Sequence, residues 1–424
     1  MLTAISRYGV RTAPGTPEII RECRRRSQLI KGPHVERFEQ AFEKRLGAGV
    51  AIATSYGRAA FFHILRALAL PADSEIVIPA LTFWVIPELA RRAGLRPVFA
   101  DIDPATFVLD PAALERAITP RTRAVVPTHL YGLPCEMDSI LSIARRYRLA
   151  VIEDCAHALG ATYRGQPVGT FGEAAFFSFQ TLKPLNAFGG GMAILRDPAV
   201  ARRVRDEVSA LPWPDQSRVN NRLKIGRAQR FFTRPGVFTF SGFPILWAAS
   251  WFDANPDIYL WEPIRALDPL PAAYLERLPN VQAAIGLAGL DLLDEWTDAT
   301  RAHARTIDDK LRGTPDLQIP VVPEGRTHVY YQYCLYAPDR DDFVRRCIRR
   351  GIDIETLHVD VCTELPLFAD LKPAPAPGAT RAADAVQVPV YASLTDRQVR
   401  RIARTIRQTI HATPKPAVAT GAKV

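Results

Sequence analysis

Two apolar runs in the middle of this chain end in groups able to do chemistry. Val151-Ile152 runs into Glu153-Asp154, and a later run closes on Ser178-Phe179-Gln180-Thr181-Leu182-Lys183 ahead of a Gly189-Gly190-Gly191 turn. An acid that ends an apolar strand faces desolvation unless a positive group meets it. A lysine between Leu182 and Pro184 in a partly buried loop has its charged form disfavoured in the same way, which frees the amine as a nucleophile. An amine and a carboxylate at two strand exits are what pyridoxal 5'-phosphate chemistry needs, one for the aldehyde and one for the ring nitrogen. On this reading Lys183 is the nucleophile and later the proton carrier, and Asp154 keeps the ring cationic. A plain solvated loop lysine is the alternative, and Asp154 with the glycine turn weighs against it.

Three further strand exits supply the rest of such a site. Thr54-Ser55-Tyr56-Gly57-Arg58-Ala59-Ala60 follows a strand and opens a helix, so backbone N–H groups around Gly57, Arg58 and Ala59 would favour a phosphate dianion. Many strand-to-helix turns look alike, so this signal carries weight only with the others. Ser178 could add a hydroxyl. Pro79-Ala80-Leu81-Thr82-Phe83-Trp84 brings aromatics to another exit, where Phe83 could stack on a flat ring or serve simply as core. His157 could hydrogen-bond the ring hydroxyl, although a lone histidine is more often a core or capping residue.

These residues need a sheet to hold them. Short apolar runs at residues 50–53, 76–79, 97–101, 124–128, 150–154, 174–179 and 191–195 alternate with helix-like stretches. That rhythm predicts an α/β fold with a mostly parallel central sheet flanked by helices, whose ligands gather at strand carboxyl ends. Residues 330–336 and 352–357 read as strands of a smaller C-terminal α/β domain, with helices in the 340s and at 395–410 and a loop at 372–378. The divisions expected are an N-terminal segment 1–30, a large domain 31–204, an insertion 205–270, a contact helix with the small domain 271–412, and a loose tail 413–424.

The insertion breaks the rhythm. It begins basic, with Arg222, Lys224, Arg227, Arg230 and Arg234, then runs uncharged over residues 236–252 with Phe238, Phe240, Phe243, Trp247, Trp251 and Phe252. Seventeen residues interrupted by Gly242-Phe243-Pro244 are too short and broken for a membrane span. A helical hairpin packed on the protein or on a dimer partner is expected. Peripheral membrane contact through 236–252, or a cap over an apolar substrate, is the other reading.

At 424 residues, with 48% hydrophobic and 23% charged, the composition is that of a globular body with room for two domains. The formal net charge of +10 is spread over short arginine groups and comes with no nucleic-acid-binding signature, so phosphate on a small substrate is the expected anion. Six cysteines lack CxxC spacing, which argues against a zinc cluster or a disulfide framework; no metal is expected. Residues 1–15 lack a secretory pattern, so the cytoplasm is expected.

Taken together, the motifs resemble the DegT/StrS-type sugar aminotransferases, pyridoxal phosphate enzymes of fold type I. The resemblance runs from about residue 30 to 410. It rests on Ile30-Lys31-Gly32-Pro33-His34-Val35-Glu36-Arg37-Phe38-Glu39, Val98-Phe99-Ala100-Asp101-Ile102-Asp103, Glu153-Asp154-Cys155-Ala156-His157-Ala158, Val168-Gly169-Thr170-Phe171-Gly172 and Arg277-Leu278-Pro279-Asn280-Val281-Gln282-Ala283-Ala284, besides the exits above. It implies that Lys183 carries the cofactor, Asp154 meets the ring nitrogen, Phe83 stacks, and His157 lies near the ring hydroxyl. Ser178 and residues 57–59 would cradle the phosphate. It also implies a homodimer that passes an amino group from glutamate or glutamine to a keto group, commonly on a nucleotide-linked sugar.

The chain departs from that pattern on its substrate side. Tyr56-Gly57-Arg58 stands where Ser-Gly-Thr is usual, so Arg58 would add a charged clamp. Leu275 replaces an asparagine that reaches a neighbour's phosphate, and Tyr331 replaces a histidine. After His358 the stretch reads Val359-Asp360-Val361-Cys362. Tyr331 and His358 are the expected substrate contacts. The leading expectation is an aminotransferase; the alternatives are a catalytically silent regulatory or scaffold protein that binds the cofactor, and a cofactor enzyme of another reaction type such as a dehydratase. Retention of Lys183 argues against the dehydrating variant, in which histidine replaces it.

Overall fold

The computed structural model describes residues 3–252, 263–356 and 359–411. Seven strands form the central sheet: β1 (Val50–Thr54), β2 (Glu75–Pro79), β3 (Arg96–Ala100), β4 (Thr122–Val125), β5 (Ala150–Asp154), β6 (Ala174–Ser178) and β7 (Gly191–Leu195). Their spatial order is β1-β7-β6-β5-β4-β2-β3. Each coincides, to within three residues, with an apolar run in the sequence. From β6 to β3 all pairs are parallel, whereas β7 runs antiparallel to both β1 and β6. The connection from β6 to β7 carries no helix and turns back through Gly189 and Gly190, at φ 134° and 101°. Parallel neighbours need a crossover, usually helical, so this shorter return reverses the strand and leaves Lys183 in the loop.

Both faces of the sheet are covered, and consecutive residues of β6 show how. Phe176 meets Phe61 on one side at 5.0 Å between ring centroids, while Phe177 meets Phe42 on the other at 5.0 Å. Side chains alternate across a strand, so a run apolar at every position supplies two cores at once. The first contains Ile78, Trp84, Val125 and Phe176; the second contains Phe38, Phe42, Phe177 and Phe179.

A third core lies in the C-terminal part, around Tyr333, Leu335, Ile402 and Ile406. There Tyr333–Leu335 pairs antiparallel with Val386–Val388 beneath the helices Arg340–Arg349 and Asp396–His411. The expected strand at 330–336 is thus shorter, because Tyr330 takes a left-handed φ of 51° and breaks the extended backbone. Residues 352–357 form no regular strand: Ile352 and Glu355 make single bridges, to Ile5 and Gln387, and Leu357 lies outside the described residues. Ile5 belongs to this third core, so the start of the chain closes onto its end. The loop expected at 372–378 is irregular through residue 376, and a short helix, Pro377–Ala382, takes up its last two residues.

Among its described residues the insertion holds a long helix, Gln216–Phe232, and two short ones, Pro235–Phe240 and Phe243–Ala249, rather than a simple hairpin, and its residues 253–262 lie outside the described residues. Pro235 and Gly242 stand at the breaks, where a proline opens a helix and cannot continue one. Among the described residues no helix is long and apolar enough to cross a membrane. The expected tail beyond residue 412 lies outside the described residues.

Candidate active site

At the exit of β5 the two acids part company, because neighbours on a strand point to opposite sides. Glu153 is fully buried. Its Oε1 accepts N–H bonds from Phe171 (2.7 Å) and Gly172 (2.9 Å), and its Oε2 accepts one from Gly169 (2.7 Å). His129 Nδ1 accepts from the Cys135 N–H at 3.0 Å, which leaves the Nε2 proton to point at Glu153 Oε2, 3.1 Å away. Cys155 completes a group of three metal-capable donors. With both oxygens of Glu153 taken by N–H donors, the cluster works as a clamp that pins residues 169–172 to the sheet.

Asp154 faces the other way. It is 6% exposed, and Oδ1 accepts the Ala156 N–H at 3.0 Å. Burial pushes its pKa up to about 6, against the pull of that bond and of the Lys183 charge. Burial brings the Lys183 amine down to about 7; Asp154 opposes this shift and Arg58 adds to it. A carboxyl raised and an amine lowered across one pocket give two groups that exchange protons near neutrality.

The pocket between them holds about 350 Å³, within the range of small-molecule sites of roughly 300–1,000 Å³. Its wall brings together Gly57, Arg58, Phe83, Asp154, His157, Ser178, Lys183 and Tyr331, eight residues drawn from separate parts of the chain. Ala59 is buried in the first core and does not line the wall, because one turn of helix can present only some of its residues to one side. His358 lies outside the described residues. The Gly57–Leu68 helix starts hard against β6: a Cβ at Gly57 would stand 2.7 Å from the Phe177 carbonyl oxygen and 2.9 Å from Ser178 Cβ. Glycine is what lets this helix N-terminus close on the strand exit.

Aromatic rings set the positions of the charges. Tyr331 stacks on His157 at 4.1 Å and lies 4.8 Å from Lys183 Nζ. The Arg58 guanidinium sits over Phe83 at 5.0 Å and over Tyr274 at 5.3 Å, and donates to the Tyr274 hydroxyl at 2.6 Å.

Three wall or border residues escape a reading of the sequence alone. Thr128, bridged to Asp154 across neighbouring strands, has a buried Oγ1 without a hydrogen-bond partner. Its place at the end of a strand-like run was the available signal. Gln229 reaches the wall from the insertion. Arg11 lines a second, smaller cavity that shares Lys183 and Tyr331; its Nη1 is buried without a partner, and nothing nearby in sequence marks it.

A family model described as DegT/DnrJ/EryC1/StrS aminotransferase matches residues 16–407. The chain belongs to that family. This aminotransferase is 31% identical to a GDP-perosamine synthase of Caulobacter vibrioides over 89% of its own length and 91% of the relative. It is 32% identical to a pleiotropic regulatory protein of Geobacillus stearothermophilus, over 92% and 94%. Among solved structures it superposes on the aminotransferase TlmJ of Streptoalloteichus hindustanus with a TM-score of 0.77 at 25% identity, covering 96% of this chain and 99% of that one. Its architecture is that of the fold type I aminotransferases, a large domain around a mostly parallel sheet with a smaller C-terminal α/β unit.

Proposed function

We propose that this aminotransferase uses pyridoxal 5'-phosphate to pass an amino group from glutamate or glutamine to a keto group on a sugar, nucleotide-linked or a related biosynthetic intermediate. The observation that carries the reading is the pairing of Asp154 and Lys183 in one desolvated pocket. The residues present fit the cofactor. Asp154 is a buried carboxylate short of positive charge, the unpartnered Thr128 Oγ1 offers one more hydrogen bond, and the glycine-tight helix start at Gly57 with Ser178 presents donors suited to a phosphate.

When bound, the cofactor supplies an electrophilic aldehyde and a ring that draws electrons from the substrate carbon. Asp154 would hold the proton on the ring nitrogen. Phe83 offers a face for the ring, and His157, held by its stack on Tyr331, offers a nitrogen to the ring hydroxyl. Lys183, with a pKa near 7, takes a proton from the substrate carbon and returns it. The unpartnered Arg11 Nη1 in the adjoining cavity supports a donor that carries a carboxylate. The GDP-perosamine synthase relative supports a sugar acceptor. The family resemblance supports a homodimer.

The test is spectroscopic. Purified protein should be yellow, glutamate or glutamine should discharge the band, a keto sugar should restore it, and borohydride should fix the chromophore at Lys183. Absence of any band would end the reading. A second reading, a regulatory protein that binds the cofactor without turnover, draws on the Geobacillus relative and on the altered residues Leu275 and Tyr331. A band that no donor discharges would favour it.

A further inference from the structure

The insertion presents a surface that the amino-transfer chemistry does not use. From Gln216 to Phe252 the chain carries six cations, Arg218, Arg222, Lys224, Arg227, Arg230 and Arg234, and no aspartate or glutamate. Arg218 is tied to Glu276 and Arg222 to the Tyr56 hydroxyl. Lys224, Arg227 and Arg234 are exposed. Twelve large apolar side chains are exposed among the described residues, and eight of them fall between Ile225 and Phe252. Phe240 is 76% exposed, Phe252 72%, Ile245 68% and Trp251 57%. An apolar concentration of this kind marks an interaction site rather than ordinary surface scatter.

The segment is held in place, so its outward face is a settled one. Val219, Leu223 and Gly226 bury one side of the long helix. The Ala4 N–H donates to Thr239 Oγ1 at 2.8 Å, Arg349 donates to the Ser250 carbonyl, and the Arg349 guanidinium covers Trp251 at 4.1 Å. What remains outward is aromatic and basic together.

That combination selects the occupant. An interface that laid this patch on its own copy across a two-fold axis would set cations against cations with no carboxylate between them. An anionic bilayer supplies both missing partners: phosphate for the cations and an interfacial apolar layer for the rings, where tryptophan is favoured. The helices are too short to span, which suits a segment lying in the surface. We propose that this face docks the enzyme peripherally on an anionic lipid surface through Phe240, Ile245, Trp251 and Phe252, with Lys224, Arg227 and Arg234 engaging the headgroups. Gln229, in the wall of the active-site pocket, is within one helical turn of the exposed Phe231 and Phe232, so docking brings the mouth of that pocket beside the lipid.

The test is flotation of the holoenzyme with two kinds of vesicle, phosphatidylcholine alone and phosphatidylcholine mixed with phosphatidylglycerol. Wild type should float with the mixed vesicles, far less with the neutral ones, and less as salt is raised. The triple variant Lys224→Glu, Arg227→Glu, Arg234→Glu and the triple variant Phe240→Ser, Ile245→Ser, Trp251→Ser should each lower the bound fraction about tenfold or more. Both should keep the cofactor band and the light-scattering mass of wild type, so loss of docking is read apart from loss of the site. Wild type that stays at the bottom of the gradient with mixed vesicles overturns the proposal. So does a serine variant that floats like wild type but falls to a smaller mass, since the face would then join two copies of the chain.

Discussion

Lys183 and Asp154 tune each other, and Arg58 adds to the shift of Lys183, because three charges share one desolvated pocket. Uptake of pyridoxal phosphate by cofactor-free protein needs the free amine, so its rate should rise as pH passes through about 7. Asp154 raises the Lys183 pKa and Arg58 lowers it. Asp154→Asn should therefore move the inflection to lower pH and Arg58→Gln to higher pH, read by stopped-flow absorbance; inflections that stay put would contradict the coupling. The same burial acts on stability. The folded pKa of Lys183, about 7, lies below the ordinary 10.5, so between those values the unfolded chain binds more protons and stability rises with pH. The penalty is complete below pH 7 and relieved toward 10.5. Lys183→Met should stabilise the cofactor-free protein most below pH 7, with a gain that shrinks at higher pH in denaturant titrations.

At the scale of elements, the exit of β5 divides its work between a clamp and a reactive acid. Glu153→Gln would turn one carboxylate oxygen into an amide that faces N–H donors in a dry interior. It should cost about 1–3 kcal/mol, seen as a lower denaturant midpoint. The seven strands were legible because each contains or runs into a short unbroken apolar stretch, a local signal that two-sided burial requires. The reversal of β7 was less so, since the glycine turn marks a change of direction without saying which strand will receive it. The expected strand at 330–336 failed in part for a backbone reason: a tyrosine rich in strand propensity takes a left-handed φ at Tyr330, and tertiary packing overrode propensity there.

Across the whole molecule, the first residues bind the small C-terminal unit. Arg7 meets Asp353 at 2.6 Å with both side chains buried, Tyr8 meets Glu355, and Ile5 bridges Ile352. Asp353→Asn should take this carboxylate away from the buried Arg7 guanidinium and cost about 3–5 kcal/mol of unfolding free energy. Pyridoxal phosphate at a hundredfold excess over its Kd should add about 2.7 kcal/mol to wild-type stability, by mass action on the folded state. A thermal-shift titration without such a gain would weigh against the site. The sequence by itself determined the strand runs, the helix start at Gly57, and Asp154 and Lys183 as groups at strand exits, because strand ends and turns are set by neighbours in the chain. Only the tertiary structure decided that Thr128 stands beside Asp154, that Arg11 reaches the cavity behind Lys183, and that the aromatic side of the insertion faces outward. Those placements depend on contacts between residues far apart in the chain, which side-chain order and spacing along the sequence do not encode locally.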